Sequence, residues 1–99
     1  MIGEGMTQDS SVNDEELKLK RQQEFWEKAR RGVLKFLSEK GGKLSMAEMH
    51  EYSISKFFIQ HQRFSEMMES FVNEGLVEFD WASHGATITE LGKEFVLKN

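Results

Sequence analysis

Three histidines, His50, His61 and His84, are the side chains best suited to metal or proton chemistry in this sequence. A metal site needs two or three close ligands, often at i and i+4 on one helix. His50 and His61 are eleven positions apart and His84 falls in a predicted loop, so the spacing predicts neither a metal nor a cofactor. His61 lies near an apolar arc and reads as a half-buried, hydrogen-bonded side chain. With no cysteine there is no thiolate nucleophile, disulfide or Cys-based zinc site. Serines and aspartates are present, but none at a spacing that sets a nucleophile beside its base. Gly41-Gly42 lacks the Gly-rich pattern of a phosphate loop. No catalytic residues and no enzyme are expected.

The chain has 99 residues, 8 of them Phe, 6 Met and 2 Trp, enough for one small core. Residues 1–13 carry little apolar periodicity and read as a flexible leader, leaving a single domain at 14–99. Asn13 or Asp14 can cap a first helix, with Asp14, Glu15 and Glu16 where the helix dipole favours negative charge. Phe25, Trp26, Ala29, Val33, Phe36 and Leu37 share an arc that predicts its core face. Lys28, Arg31 and Lys35 lie opposite, mixed with Glu24 and Glu27, as on a solvated face. Residues 14–22 have no strong stripe and either fray or pair with a second copy.

Gly41-Gly42 stops that helix, and Ser45 with Glu48 has capping-box spacing for a second. Ser53-Ile54-Ser55 reads as a break, while Phe57-Phe58-Ile59 is too apolar for a free loop. Phe64, Met67, Met68, Phe71 and Val72 then follow a helical period that ends before Gly75. Residues 76–80 and 87–88 read as a β-hairpin, and Thr89 caps a last helix holding Leu91, Phe95 and Leu97. Met46, Met49, Met67 and Met68 read as core filler rather than a ligand pocket. No run approaches the roughly 20 apolar residues of a membrane span and no secretory segment opens the chain, so the expected location is cytoplasmic.

This order of helix, short strand, two helices, hairpin and helix resembles a winged helix-turn-helix. NEGLVEF (73–79), followed by ITELGKEFV (88–96), is similar to the segment of MarR- and PadR-like regulators that joins recognition helix, wing and last helix. The resemblance covers about residues 27–96 and implies an α+β, mostly helical fold with a small antiparallel hairpin as wing. The stretch between the second helix and Phe64 is a few residues longer than the family's. By this resemblance, helix 60–74 lies in the major groove of double-stranded DNA and presents Gln60, Gln62, Arg63 and Glu66. Gln and Arg suit adenine and guanine edges, Ser65 and Ser70 reach phosphates, and Trp81 and His84 of the wing meet the backbone or minor groove. Transcription regulation by a homodimer follows from the same resemblance.

Charge points the other way. Residues 57–99 contain 3 basic and 7 acidic side chains, whereas 14–56 contain 10 and 8, within a chain of net charge −4. Duplex affinity comes largely from phosphate neutralisation, and Glu66 and Glu69 oppose it. The competing expectation is therefore a protein-interaction module that uses the acidic third helix and the wing. In that reading Trp81 is an exposed anchor rather than a side chain folded back on Phe79.

Overall fold

In a computed structural model of the chain, seven elements follow one another: α1 (Ile2–Glu39), β1 (Lys43–Ser45), α2 (Met46–Phe57), α3 (His61–Asn73), β2 (Val77–Asp80), β3 (Gly85–Ile88) and α4 (Glu90–Lys98). The structure describes the backbone of residues 2–98 and the side chains of residues 14–98. The leader expected at 1–13 and a cap at Asn13 fall outside the described side chains, and Asp14 lies within α1. The fold is α+β, four helices with a three-stranded antiparallel sheet. None of the described helices is long and apolar enough to cross a membrane.

The sheet has the order β1-β3-β2, so the hairpin expected from sequence gains a third strand. Leu44 faces Ala86 across one ladder, and Phe79 faces Ala86 across the other. Ser45 caps α2 as its spacing predicts, its hydroxyl accepting from the Glu48 N–H at 3.1 Å. Thr89 performs two tasks at the start of α4. Its hydroxyl accepts from the Gly92 N–H at 3.0 Å and donates to the Gly75 carbonyl at 2.6 Å. Gly75 itself has φ +75°, a left-handed conformation that favours glycine after a helix. Gly92 has a different reason to lack a side chain, because a Cβ there would collide with the Leu76 carbonyl oxygen.

The core gathers Ala29, Val33, Leu34 and Leu37 from α1, Met49 from α2, Phe64, Met67, Met68 and Phe71 from α3, and Val77, Ala86 and Ile88 from the sheet. The α3 stripe is thus as expected except for Val72, which is exposed. On α1 the arc is shifted. Leu34 is fully buried where α2, α4 and the sheet pack against α1, while Phe25 is exposed and met edge-on by Phe57. Phe36 stacks on Tyr52 of α2 with centroids 3.8 Å apart. Phe57 meets both Tyr52 and Phe25 edge-on, and its ring fills the space that Gly32 leaves open.

Arg30 is the unexpected member of the interior. Its guanidinium lies 5.3 Å from the Phe71 ring centroid and bridges Glu27 at 2.8 Å and Glu74 at 2.6 Å. Burial opposes the charge, but the hydrogen bonds and ion pairs with Glu74 and Glu27 outweigh burial and raise its pKa. The bridge fastens the middle of α1 to the end of α3.

Two sequence expectations are corrected. Ser53-Ile54-Ser55 does not break α2: Ser53 is buried, and its hydroxyl donates to the His50 carbonyl at 2.8 Å, so the polar group is satisfied inside the helix. Because α2 continues to Phe57, the turn to α3 is only Phe58, Ile59 and Gln60, shorter than the sequence suggests. Phe64→Ala should cost about 3–5 kcal/mol, as for other buried Phe truncations, which urea denaturation will measure. A loss below about 1 kcal/mol would contradict the burial of this face of α3.

Candidate nucleic-acid interface

With Phe64, Met67, Met68 and Phe71 turned inward, α3 must present its other face to solvent. Gln62, Ser65, Glu66 and Glu69 are exposed there. Gln60 is the residue ahead of the helix. Its carbonyl accepts from the Phe64 N–H at 2.8 Å, and its side chain makes no capping bond, so the amide is free. Ser70 is withdrawn from this group. It is half-buried and donates its hydroxyl to the Met67 carbonyl at 2.7 Å, so the proton it would offer a phosphate is already committed.

Arg63, the lone cation of α3, points back towards α1. Its guanidinium sits 4.1 Å above the Trp26 ring and pairs with Glu66 at 2.8 Å. Both groups of the pair are more than half exposed to water or close to it, so the pair itself adds little stability. Stacking on Trp26 is what orients the arginine.

The turn between β2 and β3 is organised by Asp80. One carboxylate oxygen accepts from the Ala82 N–H at 3.0 Å and the other from the Ser83 hydroxyl at 2.8 Å. The Ser83 bond, then the Ala82 bond, lower the carboxyl pKa below its ordinary value. Trp81 is 79% exposed yet also touches Phe79 edge-on at 4.5 Å, so it is exposed and at the same time folded back on Phe79. His84 adopts φ +52°, its side chain is exposed, and its carbonyl accepts from the Met46 N–H at 2.9 Å. This backbone bond ties the β2–β3 turn to the start of α2. No Lys or Arg occurs between residues 77 and 88.

The histidines are closer than their spacing suggests. The turn after α2 brings the His50 and His61 rings to 5.0 Å, and His50 also lies 4.8 Å from Phe64. His61 is exposed and His50 half-buried, the reverse of the expected burial of His61, because position 61 opens α3 on its outer side. Among the described residues no three His, Asp or Glu side chains form a group able to hold a metal.

One surface has no counterpart in the sequence reading. A groove of about 970 Å³ runs between the exposed half of α1 and the turn after α2. Leu17, Phe25 and Trp26 line one wall, Phe58 and Ile59 the other, with Lys18, Arg21 and Arg63 around them. The apolar run Phe57-Phe58-Ile59 was the available signal, since only Phe57 and Ile59 turn out to be taken up by packing while Phe58 is 83% exposed.

The two tryptophans are half-buried at 26 and exposed at 81, so they should separate in solution. Trp81→Phe should abolish most of the quencher-accessible, red-shifted fluorescence and leave a less accessible emission from Trp26. Retention of full acrylamide quenching in that variant would contradict the exposure of the wing. No protein-family model, curated protein or solved structure matches this chain.

Proposed function

We propose that the chain is a winged helix-turn-helix protein of the cytoplasm that binds double-stranded DNA and regulates transcription as a homodimer. The observation that carries this reading is the free outer face of α3. The helix is held from behind by Phe64, Met67 and Phe71 and at its end by the Arg30–Glu74 bond, and Gln62, Ser65, Glu66 and Glu69 stand exposed on its polar face, while Arg63 turns back to stack on Trp26. Support also comes from the wing, whose inner strand β3 is pinned to β1 while its tip projects. In this reading Gln60 and Gln62 read adenine edges and Arg63 a guanine edge after exchanging Glu66 for the base. Ser65 contacts phosphate, and Trp81 and His84 lie along the backbone. Leu91 and Leu97, exposed on α4, and Leu17 and Leu19 on α1 supply apolar surface for the second copy.

A second reading, a protein-interaction module without DNA binding, is favoured by one specific observation. Trp81 is exposed beside Glu78 and Asp80, and α3 presents Glu66 and Glu69. An aromatic anchor within an acidic rim suits a basic partner surface.

The two readings predict opposite effects. If α3 enters duplex DNA, Arg63→Ala weakens binding by about 1 kcal/mol or more, roughly fivefold. Glu66→Gln with Glu69→Gln tightens it, and the salt dependence is shallow because few phosphates are neutralised. Fluorescence anisotropy with mixed duplex near about 50 mM salt measures all three. No binding at micromolar protein would remove the regulator reading. If the protein-partner reading holds, loss of the two glutamates weakens complex formation and Trp81→Ala costs most.

A further inference from the structure

Phe58 occupies a position that a phenylalanine should avoid. It ends α2 with φ +57° and ψ +34°, its N–H bonded to the Ile54 carbonyl at 2.9 Å, and the next N–H, of Ile59, bonded to Ser53. This is the left-handed helix stop usually filled by glycine. A Cβ there costs about 1 kcal/mol, and burying the ring does not repay that cost, since it is 83% exposed. Strain of this kind at an unburied aromatic is expected where a ligand uses the ring.

The ring lines the groove along α1 together with Phe25, itself 47% exposed, and Trp26. Lys18 and Arg21 line the same groove against one acid, Asp14, and Arg63, already paired with Glu66, stands beside them, in a chain of net charge −4. Aromatic faces set among cations, with the carboxamides of Gln22 and Gln60 beside them, form the chemistry that holds single-stranded nucleic acid: bases stack on rings while the backbone follows the positive charge. An apolar partner helix would need several aliphatic pockets, and Leu17 and Ile59 are the aliphatic residues of the lining.

We infer that the groove between α1 and the α2–α3 turn binds single-stranded DNA, with Phe58 and Phe25 as stacking platforms and Lys18 and Arg21 as phosphate contacts. The inference rests on the duplex reading only for the choice of DNA over RNA. The groove borders the start of α3, where Gln60 and Arg63 line it.

The test titrates the full chain into fluorescein-labelled oligo-dT, oligo-rU and mixed duplex, each about 15 nucleotides or base pairs long, near about 50 mM salt. Oligo-dT should bind with a dissociation constant on the order of micromolar. Phe58→Gly removes the ring and relieves the left-handed strain. It should weaken oligo-dT binding about tenfold while the melting temperature holds or rises. Lys18→Glu with Arg21→Glu should also weaken it and flatten its salt dependence. Gln62→Ala with Ser65→Ala should lower duplex affinity and leave oligo-dT affinity intact, so failure of either site is seen separately. Absence of oligo-dT binding at tens of micromolar protein, or unchanged affinity in Phe58→Gly, would overturn the inference. Tighter binding of oligo-rU than oligo-dT would overturn the choice of DNA. A change in sedimentation of Phe58→Gly without loss of oligo-dT affinity would assign the groove to a second copy instead.

Discussion

The fold depends on a single four-residue strand that is hydrogen-bonded along both edges. β3 pairs with β1, more than forty positions earlier in the chain, and with β2, its hairpin neighbour. The first ladder fixes where α2 begins, helped by the His84 carbonyl on the Met46 N–H. The second fixes where α3 ends. Between the two helices the chain closes on itself through the Phe58 N–H on the Ile54 carbonyl and the Ile59 N–H on the Ser53 carbonyl, with Phe58 left-handed.

Charge is distributed along the chain in a way that the structure turns into geometry. Cations outnumber acids over residues 14–56, 10 to 8, and acids outnumber cations over 57–99, 7 to 3. Arg30 is where the two halves meet, with one carboxylate from each side of the boundary, Glu27 and Glu74, on its guanidinium. Arg63 is the mirror case, a cation of the acidic half folded back onto an α1 aromatic.

Much of this was legible in the sequence. The 3.6-residue period of Phe64 to Phe71, the Ser45 cap, the Gly75 stop and the Thr89 cap are local signals with local causes, and each survives in the fold. What was not legible depends on distant partners. Leu34 and Arg30 enter the interior because of what α3 and the sheet place over them. Ser53 remains helical because its hydroxyl finds a carbonyl one turn back. The short strand after the first helix was expected, but its pairing with β3 depends on a partner about forty positions away. The groove, too, combines residues from 14–26 with residues from 58–63, and of these only the apolar run at Phe57-Phe58-Ile59 gave a signal. For the residues expected to meet DNA, sequence identified the exposed face of α3 correctly, but neither the withdrawal of Ser70 nor the capture of Arg63 by Trp26 has a signature in spacing.

The acidity of the wing has one more consequence. With the order β1-β3-β2, the strand β2 is an open edge of the sheet, and Glu78 and Asp80 stand on it. The other edge, β1, is three residues long and begins with Lys43. Unpaired edges are templates on which further strands grow, and charge or brevity blunts them. These same carboxylates on the β2 edge thus guard the sheet against stacking edge to edge into aggregates.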